Sequence, residues 1–229
     1  MKILETQPKL VEQVHKAILE EISGGRLRPG SRIIQEQIAK ELGVSRQPVQ
    51  QALALLRNQG VLRDAPGRGL LVAPLDVRYV RNMYDMRAVI EGLACRRAAE
   101  LNAKQAKAKG PALIRAGRKA VAAGSYNEMI AADMAFHHFI YAMSENPFVA
   151  PAMEAHWTNT QRVMGEVLTN EEQPRNVWGQ HEAILEAIAA GDAQKAEELG
   201  RQHISQAADF MIARLQESGA TTEDDSITA

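Results

Sequence analysis

The chain has 229 residues, long for one domain and enough for two at roughly 150 residues each. A composition of 45% hydrophobic and 24% charged residues excludes wholesale disorder, and the 4% aromatic content beside abundant Ala, Leu, Glu, Gln and Arg leans helical. The net charge of −1 shows no overall basic excess. Residues 1–75, however, carry 11 basic and 7 acidic side chains against 16 and 21 in the remainder, an asymmetry that points to a nucleic-acid-binding end. Cys95 is the only cysteine, which excludes an intrachain disulfide and a thiolate zinc cluster. The apolar runs fall far short of the roughly 18 residues of a membrane span, and Met1-Lys2-Ile3-Leu4-Glu5 turns polar too soon for a signal peptide. The expectation is a soluble, cytoplasmic protein without a membrane partner.

The first helix is expected from about Pro8 to Ser23, with Thr6 near its N-cap and Leu10, Val14, Ala17, Ile18 and Ile22 on one face. Leu27-Arg28-Pro29-Gly30 is a turn by composition. Ile34 to Leu42 and Ser45 to Asn58 read as two helices separated by Gly43. Val61 to Ala73 reads as a hairpin with Ala65-Pro66-Gly67-Arg68-Gly69 in its loop. Pro74 and Asp76 mark a linker, after which no strand is expected. Six helical stretches follow, roughly 77–101, 105–123, 125–144, 147–169, 174–190 and 192–217, with a break at Lys109-Gly110-Pro111 inside the second. Gly191-Asp192 pairs a C-cap glycine with an N-cap aspartate. Residues 218–229 are polar and read as a frayed tail. The fold class is mainly α, an N-terminal winged helix-turn-helix over 1–75 and an antiparallel all-α bundle over 76–217.

The spacing of Ala39, Gly43 and Val49 suits a helix-turn-helix and, taken alone, equally an ordinary helical hairpin. Ala39 is small where a second helix must cross closely, Gly43 can turn the chain in the left-handed backbone, and Val49 packs beneath the turn. Ser45 can cap the next helix, and Pro48 is tolerated in its first turn. Such a helix enters the major groove by its N-terminal residues, and Arg68 at the hairpin tip reads as a wing. Residues 27–72, from Leu-Arg-Pro-Gly-Ser-Arg-Ile through Gly-Val-Ser-Arg-Gln-Pro-Val-Gln-Gln-Ala-Leu to Gly-Arg-Gly-Leu-Leu-Val, resemble the DNA-binding domain of the GntR family of bacterial transcription regulators. The resemblance implies that Arg46 is the base-reading arginine, suited to guanine O6 and N7. It also implies that Ser45 and Gln47 flank Arg46 on the DNA and that Arg68 and Gly69 form the wing tip. Gln50 stands where the family usually has arginine, and Glu36 where some members use an arginine against DNA. Gln50 could read adenine, and fewer phosphate contacts imply a shallower salt dependence.

Five of the six histidines lie in the helical half. Asp133 and His137 share a helix face with Tyr126, Ile130, Ile140 and Tyr141; His181 shares one with Trp178, Leu185 and Ile188; His203 shares one with Ala196, Leu199, Ala207 and Phe210. His181 precedes Gly191 by ten residues and His203 follows it by twelve. In an antiparallel hairpin both then lie about 15–18 Å from the turn, side by side. One carboxylate and three imidazoles at one level make a site for a borderline divalent ion. Taken singly, each histidine is more often a satisfied core residue and Asp133/His137 as often a coincidence of helix spacing; with His181 and His203 level, spacing alone leaves the two readings even. These segments, with Asn146-Pro147 and Gly191-Asp192, resemble the FCD ligand-binding domain of the FadR-type subgroup over about residues 78–217, and six helices resemble its VanR-like branch. Metal-binding members use an aspartate and three histidines, positions that Asp133, His137, His181 and His203 fill. Zinc is the first expectation, nickel or manganese the others. His138 and His156 match nothing and are left as structural or exposed.

Arg87 lies on the apolar stripe Val80, Met83, Tyr84, Ile90, Ala94, Ala98 and needs an anion or a buried acid. Glu91, one turn on, offers an ion pair; the resemblance implies instead the carboxylate of an effector. Arg162 reads as a solvated arginine or a second effector anchor. The leading expectation is a homodimeric regulator that binds a palindromic double-stranded operator and responds to a small organic acid held beside the metal. The alternatives are a metal-dependent enzyme, for which no paired general base or nucleophile motif is found, and a regulator whose metal is purely structural.

Overall fold

The computed structural model describes residues 8–170 and 176–217. Helix α1 (Pro8–Ser23) buries Val14, Ile18 and Ile22 at the expected spacing, whereas Leu10 in its first turn is 37% exposed. Thr6 and the tail 218–229 lie outside the described residues. Strand β1 (Arg32–Ile33), not anticipated from the sequence, follows the Pro29-Gly30 turn. Two residues are too few for a period-2 signal. Partner bonds create the strand: Arg32 opposes Leu71, Ile33 opposes Leu70, and the Gly30 N–H donates to the Val72 carbonyl at 2.8 Å.

Helices α2 (Gln35–Glu41) and α3 (Arg46–Asn58) form the helix-turn-helix. Ala39 is buried at the crossing, Gly43 takes φ 64°, and Val49 is fully buried beneath the turn. Pro48 sits in the first turn of α3, where its missing N–H has no helical acceptor to lose. Ser45 occupies the N-cap position in an extended conformation, but its side chain makes no capping hydrogen bond. Strands β2 (Leu62–Asp64) and β3 (Leu70–Val72) pair antiparallel in a sheet of order β1-β3-β2. The Ala65 N–H closes their loop onto the Gly69 carbonyl at 2.9 Å. Val49, Leu56, Val61 and Val72 form the centre of this unit's core with Val14 and Ile18 of α1.

The remaining helices are α4 (Val77–Ala123), α5 (Tyr126–Met143), α6 (Val149–Asn170), α7 (Val177–Ala190) and α8 (Ala193–Glu217), with no strand among the described residues after Val72. The expected gap between residues 101 and 105 corresponds to a kink at Asn102 (φ −133°, ψ 27°), whose side chain donates to the Met143 carbonyl and to Glu145. The expected break at Lys109-Gly110-Pro111 is absent. Pro111 rides the exposed side of a continuing helix, and Gly110 is a packing residue: a Cβ there would lie 2.3 Å from Leu185 of α7. Asp192 caps α8 through the Lys195 N–H at 3.0 Å. Phe136, Met153, Trp157 and Ile188 centre the bundle core. The two units meet where α6 crosses α1, and Asn159 of α6 donates to the Gln59 carbonyl at 2.8 Å.

Candidate functional site

On the α7–α8 hairpin, His181 and His203 face each other with their Nε2 atoms 3.1 Å apart, as the spacing about Gly191 predicts. From α5, His137 brings a third imidazole, and one ring nitrogen from each of the three lies within 4.8 Å of the others. Asp133, one turn before His137, sets its carboxylate oxygens 3.7 Å from His137 Nε2 and 3.5 Å from His181 Nε2. All four residues are buried. Their stripes face the interior as expected, except that Tyr126 is 37% exposed in the first turn of α5. Phe136 stacks on His181 at 4.1 Å, and Trp178 meets it edge-on at 4.7 Å.

The outward nitrogens decide what the inward ones can do. His137 Nδ1 donates to the Glu91 carboxylate, and His203 Nδ1 donates to Gln180 Oε1 at 2.8 Å. With those protons fixed on Nδ1, the Nε2 atoms of both rings point lone pairs inward, as metal-bound imidazoles oriented by second partners do. Burial, then the neighbouring imidazoles and Arg87, hold His181 well below the ordinary imidazole range. Burial, then His137, bring His203 down to about 3, so both rings are neutral donors near pH 7. Burial pushes the Asp133 carboxyl up, against the pull of His137 and Arg87. Two nitrogen lone pairs, a third imidazole and a carboxylate, closed off by aromatic rings, fit a borderline divalent ion such as zinc.

Arg87 lies beside this cluster and is only 3% exposed. Its Nε and Nη2 donate to Glu91 Oε1 at 2.9 and 2.8 Å, its Nη1 donates to Thr160 Oγ1 at 3.3 Å, and its guanidinium stacks near Tyr84 and Trp157. The ion pair with Glu91 offered by the sequence is therefore present. Burial pushes the Glu91 carboxyl up, but its contacts with His137 and Arg87 outweigh that and hold the group well below the usual carboxylate range. Arg87, Asp133, His137 and His203 line a cavity of about 80 Å³ whose other walls are mostly apolar, Met129, Met164, Ile204 and Met211 among them.

Arg162 is neither a solvated arginine nor a lining residue of that cavity. It is buried and donates to the Ala73 carbonyl at the end of the wing, because α6 turns that face toward the N-terminal unit. His138 is exposed and His156 half-buried. Sequence reasoning placed Glu91 only as a partner of Arg87 and missed its bond to His137. The available signal was a second charge on the same apolar face of α4.

At the other end, Ser45, Arg46, Gln47 and Gln50 are exposed around the start of α3, and Arg68 and Gly69 are exposed at the hairpin tip. Arg46 Nη1 pairs with Glu36 Oε1 at 3.3 Å, and the Gln35 side chain donates to the Arg46 carbonyl. A helix-turn-helix with an arginine at the start of its second helix, a wing and an attached helical bundle define a two-part transcription regulator. Residues 10–72 match the gntR family of bacterial regulatory proteins and residues 82–206 match the FCD domain, and the chain belongs to this FCD-bearing group of the GntR family.

An HTH-type transcriptional regulator in the TAR-I ttuE-ttuC' intergenic region of Agrobacterium vitis is 33% identical over 58% of this chain and 79% of its own length. A probable D-xylose utilization operon transcriptional repressor of Paenarthrobacter nicotinovorans is 27% identical over 87% of this chain and 88% of its own. Escherichia coli McbR/YncC shares the fold at a TM-score of 0.78 and 23% identity, over 90% of this chain and 98% of its own. The family and the relatives are DNA-binding regulators and not enzymes. None of the described helices is long and apolar enough to cross a membrane.

Proposed function

We propose that this regulator is a cytoplasmic homodimer controlled by a small organic acid. In this reading residues 1–75 bind a palindromic operator through Ser45, Arg46, Gln47, Gln50, Arg68 and Gly69. Residues 76–217 hold a divalent metal on Asp133, His137, His181 and His203, zinc first and nickel or manganese otherwise, and Arg87 anchors the acid. The observation that carries it is the convergence of three imidazoles and Asp133, of which Asp133, His137 and His203 share the wall of an apolar cavity with a buried arginine. When bound, the ion supplies positive charge and open coordination positions for a carboxylate. Glu91 and Gln180 orient His137 and His203, Phe136 and Trp178 exclude water, and Arg87 waits beside them. Arg162 has a different task, tying α6 to the wing.

Two-fold symmetry in the protein suits a palindromic site. The exposed apolar residues Tyr79, Met86 and Val89 on one side of α4 support a second copy as partner. The acid changes DNA binding only by its differential affinity for two arrangements of the bundle.

The test is a thermal-shift screen of zinc-loaded protein against mono-, di- and hydroxycarboxylic acids, with His181→Ala in parallel. Stabilisation by one acid class that needs zinc and disappears in the variant is expected. The ion pair of Arg87 with Glu91 favours a second reading, in which the metal is purely structural. That reading predicts a large destabilisation on chelation and no shift with any acid.

A further inference from the structure

We propose that Glu91 sets the charge of the cavity so that its ligand is a small monocarboxylate and a dicarboxylate is rejected. This deepens the effector reading above and rests on it. Arg87 and Asp133 are the charged residues among those described on the cavity wall, and Glu91 lies behind Arg87 and His137, with Oε1 on Arg87 and Oε2 on His137. All three side chains are buried, so bulk water does little to screen them.

With a divalent ion on the imidazoles and both carboxylates ionised, the ion, Arg87, Asp133 and Glu91 sum to a charge of +1. A ligand of charge −1 completes the balance. A second ligand carboxylate would face apolar walls, or Asp133 and Glu91, with no cation left for it, because Arg87 is already shared. Three of the guanidinium's five N–H donors are engaged by Glu91 and Thr160, which leaves a narrow, single-carboxylate anchor. A cavity of about 80 Å³ has room for roughly five water-sized groups, the scale of a short-chain acid. Met129, Met164, Ile204 and Met211 suit its hydrocarbon end. Glu91 acts through Arg87 and His137 and is a positioning residue, selecting a ligand it does not touch.

Butyrate and succinate, which share a carbon chain and differ by one carboxylate, provide the test. Each is titrated calorimetrically into full-length, zinc-saturated wild-type protein and Glu91→Gln, with bound zinc measured in every sample because loss of the carboxylate behind His137 weakens metal binding. Wild type is expected to bind butyrate at least tenfold tighter than succinate, and Glu91→Gln, with one more positive charge, to reduce that ratio at least tenfold. A wild-type preference for succinate, or an unchanged ratio in zinc-replete Glu91→Gln, overturns the proposal and leaves the acid-effector reading standing. Binding of neither acid to zinc-replete wild type overturns the proposal. If other carboxylic acids also fail to bind, the effector reading falls with it. Should Glu91→Gln not fold, the wild-type ratio decides.

Discussion

Gly165 and Ser23 bring the two halves of the chain together backbone to backbone: a Cβ on Gly165 would lie 2.3 Å from the Ser23 carbonyl oxygen. Within one stretch of α6, Asn159 reaches the Gln59 carbonyl, Thr160 accepts from Arg87, Arg162 reaches Ala73 and Met164 lines the cavity. Gly165→Ala must therefore push α6 off the last turn of α1. Overpacking of this kind costs about 1–3 kcal/mol. The expected result is a lower Tm with metal binding to the helical unit preserved, measured by thermal unfolding with and without zinc.

Arg87 and Glu91 are a buried pair, and breaking one side leaves the other uncompensated. Arg87→Met is expected to destabilise by about 3–5 kcal/mol, and Arg87→Met/Glu91→Leu to recover part of that loss. Chemical denaturation of the three proteins checks the ordering. A single variant no less stable than the double would show the pair to be weakly coupled.

The pH response follows from the imidazoles. His181 and His203 are depressed below the ordinary 6.5 by burial first, His203 to about 3. Above pH 6.5 they are neutral folded or unfolded, and below it the unfolded chain takes up protons that the folded chain refuses. Metal-free protein should thus lose stability as pH falls from 6.5 toward 3, by up to about 1.4 kcal/mol per pH unit for each histidine. Asp133, pushed up by burial, works in the opposite sense near its own range, one group against two. Tm measured from pH 7.5 to 5 in chelator should slope downward for wild type and less steeply for His203→Gln.

On the DNA side, Arg46 is paired with Glu36 in the free protein. On an operator selected from randomised duplexes, Arg46→Ala should cost about 1–3 kcal/mol and relax the base preference, whereas Arg68→Ala should weaken binding more evenly. Glu36→Gln should tighten binding by removing both a competitor for Arg46 and a negative charge facing phosphate. Anisotropy titrations over a salt series separate these effects, since loss of one phosphate contact shallows the log–log slope by about one.

Helix periodicity and the similar distances of His181 and His203 from Gly191, ten and twelve residues, set two imidazoles side by side, and the Ala39–Gly43–Val49 spacing together with the whole run 27–72 placed the helix-turn-helix. These are local regularities of a 3.6-residue period, and they persist whatever the chain packs against. Strand β1 and the uninterrupted helix through Gly110-Pro111 were not legible, because a two-residue strand exists only through its partners and Gly110 reads as a breaker until Leu185 is seen against it. The same holds for the roles of charged residues. Arg162 turned to Ala73, Glu36 to Arg46, and Glu91 to both Arg87 and His137. The sequence alone determined which residues share a helix face; only the tertiary structure decided which partners those faces meet, because ion pairs and hydrogen bonds depend on distances between segments that spacing along one helix does not carry.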